Sequence, residues 1–365
     1  DSLSIMPGDA AVNSKLAEEL ELKPGDEIII KFKPVDPLPS NAPFAPSKDD
    51  ESSTVLRVSH ILTAESGGNF SPGISQVIPK TLFINISDID DGIDGKFNAN
   101  RILFSSGTAD SVLHPLVEVT SLSDIGFTVR RSEKTGESEI ISDRIFIDSI
   151  LVSDILAKLP SGSPVLTYLV NSFSFNGRTT PYSFVASIPS SVFPGISDDE
   201  ILLNRWLAKD LEIEPGDSVV LRWYDTTFGN HLEENEKTFR VSRILDDNNK
   251  YADPLLMPDF PGISGSTTCS GWDAGVPILL DQIRKKDEEY WNSFRGTPKA
   301  FINYSEGKKI WGNNFGVATA LRFPGSLAPQ DIEKSLYGSL DPVDAGLTVT
   351  DIRKAGASAC LLYTS

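Results

Sequence analysis

The chain has 365 residues, room for two domains and a sizeable core at about 100–200 residues per domain. Hydrophobic residues make up 39% and charged residues 23%, with 27 Gly and 24 Pro, a globular, loop-rich composition that excludes disorder for the bulk of the chain. Acidic residues outnumber basic ones by 51 to 33, a net charge of −18 without a basic patch, so phosphate backbones are repelled and nucleic acid is not an expected partner.

Two cysteines, Cys269 and Cys360, lie far apart without a CxxC pair, and only three histidines are present (His60, His114, His231). Neither a disulfide framework nor a zinc site is expected, and no cofactor motif of the GxGxxG or GxxxxGK type occurs. The longest apolar runs, such as Pro164 to Val170 and Ile201 to Leu203, fall short of the roughly 18 residues of a membrane span. The chain opens at Asp1 in what reads as a loop, with no secretion signal, and the native start is expected upstream.

In chain order the first elements recur. Asn13-Ser-Lys-Leu-Ala-Glu-Glu-Leu-Glu-Leu-Lys-Pro-Gly-Asp26 is echoed by Asn204-Arg-Trp-Leu-Ala-Lys-Asp-Leu-Glu-Ile-Glu-Pro-Gly-Asp217 at an offset of 191, with eight of fourteen positions identical. Arg57-Val-Ser-His-Ile-Leu62 then matches Arg240-Val-Ser-Arg-Ile-Leu245, and Pro72-Gly-Ile-Ser75 matches Pro261-Gly-Ile-Ser264. Pro79-Lys80 with Phe83-Ile-Asn85 resembles Pro298-Lys299 with Phe301-Ile-Asn303. Matches in one order predict a duplicated unit.

The residues of that unit have legible tasks. Asn13 and Asn204 follow short apolar runs and can cap a helix, and Leu16 with Leu20, or Leu207 with Leu211, share one helical face. Pro24-Gly25-Asp26 and Pro215-Gly216-Asp217 then set type II turns, Pro fixing φ and Gly supplying positive φ. Ile28 to Phe32 and Val219 to Trp223 read as the strands that follow, with Thr54 to Leu62 and Lys237 to Leu245 next. A Pro-rich loop swells the first unit between residues 33 and 56. The second carries an aromatic and charged insertion, 265–297, with a helix expected from about Ile278 to Phe294.

Between the units, Phe127 to Arg131, Arg144 to Ile150 and Pro164 to Phe173 read as strands of a β-rich bridge. Near the end, Ala328 to Leu340 reads as a helix and Leu347 to Ile352 as a strand. The expected fold is α+β with strands dominant: a first repeat over 1–126, a bridge over 127–192, a second repeat over 193–359, and a non-native tail over 360–365. Cys360-Leu-Leu-Tyr-Thr-Ser365 resembles an in-frame translation of a common sequencing-library adapter.

Patterns that could carry chemistry are weak. Ser305-Glu-Gly-Lys308 has the spacing of an acylatable serine but lacks the companion motifs, and Gly262-Ile-Ser-Gly-Ser266 falls one Gly short of a nucleophile elbow. Asp88-Ile-Asp-Asp-Gly-Ile-Asp-Gly95 suggests calcium, yet counted from Asp90 a Gly92 takes a ligand position and Arg101 stands where the bidentate Glu belongs. No catalytic, cofactor or metal residue is therefore assigned. Trp272, Tyr290, Trp291 and Trp311 fall in or near the insertion and are candidates for a partner-binding groove; the competing reading, favoured about two to one, is that they fill a small second core.

Taken together, several stretches resemble the large extracytoplasmic domain of an FtsX-like ABC transporter permease, the group that includes the MacB type. They are Leu16-Ala-Glu-Glu-Leu20 with Pro24-Gly-Asp26, Pro181-Tyr-Ser-Phe-Val185, Trp206-Leu-Ala-Lys-Asp-Leu211 with Pro215-Gly-Asp217, Leu256-Met-Pro-Asp-Phe-Pro-Gly262, Tyr290-Trp291, Gly296-Thr-Pro-Lys-Ala-Phe301 and Trp311-Gly312. The resemblance spans nearly the whole chain. It implies a parent anchored in a bacterial cell membrane, this domain on the periplasmic or extracellular side, and pairing with a cytoplasmic ATPase whose closure moves the outer domains. It implies no enzyme chemistry in this chain, and a homodimer is a candidate assembly. The alternative is a soluble secreted module that binds peptide, glycan or lipoprotein through the aromatic insertion; a hydrolase built on Ser305 and Lys308 is a distant third.

Overall fold

The computed structural model describes residues 4–32, 42–45, 52–71, 73, 77–89, 101–104, 109–192, 195–225, 232–352 and 354–355. Among them it is a mixed α/β chain, strand-rich, with seven α-helices. Two compact units divide it: residues 1–36, 48–114 and 348–365 form one, and residues 37–47 and 115–347 the other. The adapter-like tail 360–365 and most of the Pro-rich loop lie outside the described residues.

The first unit is built on β1 (Asp9–Asn13), α1 (Ser14–Glu19), β2 (Glu27–Phe32), β3 (Ser52–Leu62) and β4 (Leu82–Ile84), in the sheet order β2-β3-β1-β4. Asn13 ends β1 and caps α1, its side-chain oxygen accepting the Leu16 N–H at 3.0 Å and so satisfying one of the donors that every helix start leaves unpaired. The turn after α1 is closed from both sides. Asp26 donates its N–H to the Lys23 carbonyl at 3.1 Å while its carboxylate accepts the Lys23 N–H at 2.7 Å. Gly25, at φ +100°, donates to Val58 of β3 at 2.8 Å, a backbone conformation open to glycine and costly for residues with a Cβ. Among the described residues, Val12, Ala17 and Val58 form a core cluster of this unit, with Leu16, Leu22, Ile28 and Leu82 against them, and Ala10, Ala11, Leu56 and Leu62 are buried as well.

Helix α2 (Ala109–Val119) crosses from the first unit's segment of chain to the second's. In the second unit, β5 (Phe127–Arg131) and β6 (Ser138–Ser142) form a hairpin, followed by α3 (Ser149–Lys158), β7 (Ser163–Phe175) and β8 (Arg178–Ile188). Then come β9 (Glu200–Asn204), α4 (Arg205–Leu211), β10 (Ser218–Asp225), β11 (Glu233–Leu245), α5 (Lys285–Phe294), β12 (Ala300–Asn303), α6 (Tyr304–Trp311), β13 (Ala320–Phe323) and α7 (Pro329–Leu336). The sheet runs β10-β11-β9-β12-β8-β7-β13-β6-β5, and β10 pairs in addition with β7. Strand β7 is long enough to do both: Ser163 to Val165 pair with β13, and Ser172 to Ser174 with β10. Six strands therefore close into a ring, which leaves β10 no open edge.

The four strands β10-β11-β9-β12 stand in the same order as β2-β3-β1-β4. In each set the first strand of the chain runs parallel to the long third one, with a register break after its second residue pair. Asp9 meets Arg57 there at 3.0 Å, and Glu200 meets Arg240 at the matching place. The second turn also repeats the first: Asp217 to Glu214 at 3.1 Å, the Asp217 carboxylate to the Glu214 N–H at 2.9 Å, and Gly216, φ +101°, to Val241 at 2.7 Å.

Several expectations change. Arg144 to Ile150 is no strand: Ile145 takes φ +65°, Ile147 makes only an isolated bridge to Ala318, and Asp148 caps α3 by accepting the Ile150 N–H at 2.7 Å. The strand of this region is β6, whose Ser and Glu positions hid it. Leu347 to Ile352 has no strand either, because the Leu347 N–H is spent on the Pro342 carbonyl at 3.0 Å. Helix α5 starts at Lys285 rather than near Ile278, where Asp287 reaches back to the Arg284 N–H at 2.9 Å. The expected strand Pro164 to Phe173 lies within β7, which pairs with β8, a strand the sequence did not signal, and both belong to the same sheet as β9 to β12.

Candidate functional site

The residue with the most unusual surroundings is Lys299. Its backbone is fixed at the head of β12, its N–H donating to Phe184 of β8 at 3.0 Å and its carbonyl accepting from Asn204 of β9 at 2.8 Å. The side chain is 4% exposed, with the ammonium 4.3 Å from the Trp206 ring centre and 4.7 Å from that of Tyr290. The two rings sit 5.0 Å apart and tilted, an aromatic pocket for a cation. Burial pushes the amine down to about 8, while Asp287 pulls in the opposite direction.

The inserted segment completes this pocket. Asn204 caps α4, accepting the Leu207 N–H at 2.8 Å, and its amide donates to the Tyr290 hydroxyl at 3.0 Å. Tyr290 in turn donates to the Thr297 carbonyl at 3.3 Å. At the start of α5, Arg284 ties Asp287 at 2.7 Å to Asp210 of α4 at 2.6 Å, and Lys286 and Thr180 also engage Asp210. Burial would raise the Asp210 carboxyl, but Lys286, Thr180 and Arg284 hold it below the ordinary range. Register shows why only the second unit has a lysine here. Phe83 and Phe301 occupy matching pairings, with Ala11 and Leu202, so Thr81 stands where Lys299 stands. Lys80, one residue off, is exposed and pairs with Glu19 at 2.5 Å.

A second charged cluster lies where β6 and β13 meet. Arg322 contacts Glu139 at 2.9 Å, Asp253 at 2.7 Å and Glu137 at 3.5 Å, Arg130 reaches Glu139 at 2.6 Å, and Ser132 donates to Asp253 at 2.8 Å. Burial opposes the Arg322 charge, yet Glu139 and Asp253 raise its basicity above the ordinary value. Arg322 and Asp210 are each met by several internal partners, which suits holding elements together. A cleft of about 240 Å³ opens beside α3, lined by Phe127, Arg144, Phe146, Asp148, Asn314 and Asp344 among others. Arg144 is committed there to the Ala345 carbonyl at 2.8 Å.

Trp272, Trp291 and Trp311 are placed in or against the large core, and Tyr290 is buried against Trp206 and Phe294. Tyr290, Trp291 and Trp311 are buried and Trp272 is half-buried. Trp311 stacks on Tyr168 at 5.3 Å, Trp272 meets Trp291 edge-on at 4.9 Å, and the Trp291 indole donates to the Ser266 carbonyl at 3.2 Å. Large rings bury wherever a sheet leaves room for them. Gly262 lets this happen: a Cβ there would stand 1.7 Å from the Asp273 carbonyl oxygen, so the insertion can lie directly on the chain. Cys269 is a buried free thiol, pushed by burial up to about 12.

Of the weaker motifs, Ser305 donates to Asp198, and the Ser264 hydroxyl is buried with no hydrogen-bond partner among the described residues. Asp88 accepts the Gly8 N–H at 2.8 Å, and the acidic residues after Ile89 lie outside the described residues. Among the described residues no group of three or more side chains could hold a metal, and no helix is long and apolar enough to cross a membrane. Lys299 was visible in the sequence only as a member of the Pro-Lys repeat; nothing local signalled its burial.

No family model matches the chain, and no curated protein matches it. Among solved structures it is similar to the periplasmic region of MacB from Actinobacillus actinomycetemcomitans, at 10% identity and a TM-score of 0.31, over 57% of this chain and 81% of that one.

Proposed function

We propose that this chain is the extracytoplasmic domain of an FtsX-like ABC transporter permease, which couples cytoplasmic ATP hydrolysis to the handling of a substrate or partner outside the membrane and catalyses no reaction itself. The observation that carries the reading is the double use of one motif. The stretches that resemble the family, Leu16 to Asp26 and Trp206 to Asp217, build the same capped helix and Pro-Gly-Asp turn, and both sets of strands follow one order. We read this as a duplicated unit.

The second unit's construction supports a mechanical role. A closed ring of strands and two buried ion-pair clusters resist shear, as a body that passes on movement generated elsewhere must. The test is to sequence the source locus through both ends of this segment and to express the whole gene with its neighbour. Apolar spans of about 20 residues on both sides, and an ATPase carrying GxxxxGK[ST] that co-purifies with the product, are expected. A secretion signal and a stop codon directly flanking the segment would overturn the proposal in favour of a soluble binding module.

A further inference from the structure

The Pro-rich loop and the aromatic insertion meet. The loop joins β2 to β3, yet its described part, residues 42–45, belongs to the second unit. There Phe44 is 2% exposed, with Ala42 and Ala45 buried beside it. Its ring stands edge-on to Tyr168 of β7 at 4.9 Å and to Phe260 at 4.8 Å. From the insertion, Gly275 lies so close that a Cβ on it would be 1.9 Å from the Ala45 carbonyl oxygen.

The seated segment is a turn. The Ala45 N–H donates to the Ala42 carbonyl at 3.3 Å, Pro43 takes the first central position, and Phe44 takes the second at φ +64°. A type II turn reserves that place for glycine or asparagine, so an aromatic residue is held there against its own backbone preference. Ring packing does the holding. Among the described residues no hydrogen bond or ion pair ties residues 42–45 to any residue outside the turn.

A segment held by side chains alone, in a strained turn, is released more readily than one paired along its backbone. We propose that the seat made by Tyr168, Phe260 and Gly275 is a binding site for peptide turns of the Pro-aromatic type, and that Ala42–Ala45 is its built-in plug, displaced when a partner presents the same turn. The plug defines the partner's chemistry: an aromatic ring met edge-on from two sides, and a carbonyl passing where Gly275 carries no side chain. Being tethered, the plug competes at an effective concentration of about millimolar, which keeps the site shut in the resting chain. The inference is independent of the permease reading, since it concerns contacts inside the second unit.

The test uses the full chain and a fluorescein-labelled peptide, Ser40-Asn-Ala-Pro-Phe-Ala-Pro-Ser47, in fluorescence anisotropy. Phe44→Ala is expected to empty the seat and to bind the peptide about tenfold more tightly than the wild type, or better. The peptide carrying Phe44→Ala should not bind, and Gly275→Ala added to the protein variant should weaken binding about tenfold or more. Far-UV circular dichroism checks that each variant is folded. Binding to the folded Phe44→Ala protein that is no tighter than to wild type, or that ignores the peptide's phenylalanine or Gly275→Ala, would overturn the proposal. A second measurement needs no variant and decides the matter if Phe44→Ala fails to fold. In the wild type the Ala45 amide is expected to exchange with solvent about a hundredfold faster than the amides of β7 and β8; exchange only together with them would make Phe44 a permanent core residue and would sink the plug.

Discussion

Arg322 of β13 and Glu139 of β6 form a buried ion pair at 2.9 Å between residues 183 positions apart in the chain. Removing charges from water is costly, and this pair is sustained because Asp253 and Arg130 occupy the remaining positions around it.

It follows that Arg322→Leu leaves two carboxylates buried with one cation fewer, at an expected cost of about 3–5 kcal/mol. Urea denaturation monitored by fluorescence measures it. A cost below about 1 kcal/mol, the range of exposed pairs, would mean that water reaches the cluster.

Lys299 gives a pH dependence with a definite sign. Its folded-state value is about 8 against 10.5 for an ordinary lysine, so between the two the unfolded chain holds more protons and stability rises with pH. The whole shift corresponds to about 3 kcal/mol withheld at lower pH. Cys269 acts oppositely: its thiol is pushed from 9.0 to about 12, so its contribution is present below 9 and is lost as pH climbs through that window. Thermal melts should show stability rising from pH 8 to 9, flattening up to 10.5 and falling above it. Lys299→Met should abolish the rise and leave the later fall. Identical slopes for wild type and variant would rule out a perturbed lysine.

The caps should matter in both units. Asn204→Ala removes the Leu207 cap and leaves the buried Tyr290 hydroxyl without its donor, for an expected loss of about 2–3 kcal/mol. Asn13→Ala removes bonds to Leu16, Gly68, Pro79 and Thr81. Hydrogen exchange should show that loss confined to amides of the first unit, given that the four partners belong to it; protection lost equally in both units would contradict it.

Trp291→Ala should behave as a core deletion, costing about 3–5 kcal/mol. Chemical denaturation decides: a variant as stable as wild type but deficient in binding a partner would return Trp291 to the role of a contact residue.

Much of the fold was legible because its signals are local. The six strand and helix segments that follow Asn13 and Asn204 were readable from capping, turn and alternation patterns, since an Asn side chain reaches an N–H three residues away and Pro-Gly sets its own dihedral angles. Strand β6 and helix α3 were not, because Asp148 reads equally as a turn residue and as a cap until Ile150 is seen to donate to it. The aromatic residues were legible as a group and not as a place. Residue type cannot say whether Trp272 and Trp291 face water or each other, which depends on Gly262 admitting the Asp273 backbone.

By itself, then, the sequence determined the two capped helices, the two Pro-Gly-Asp turns, the strands they deliver and the acidic surface, all set by neighbours along the chain or by composition. Only the tertiary structure decided that Lys299 is enclosed by Trp206 and Tyr290 while Lys80 stays in water, that β7 closes the ring on β10, and that β2 lies at an edge of its sheet. Those outcomes rest on contacts between residues distant in the chain, where burial and register are fixed by packing that no local pattern encodes.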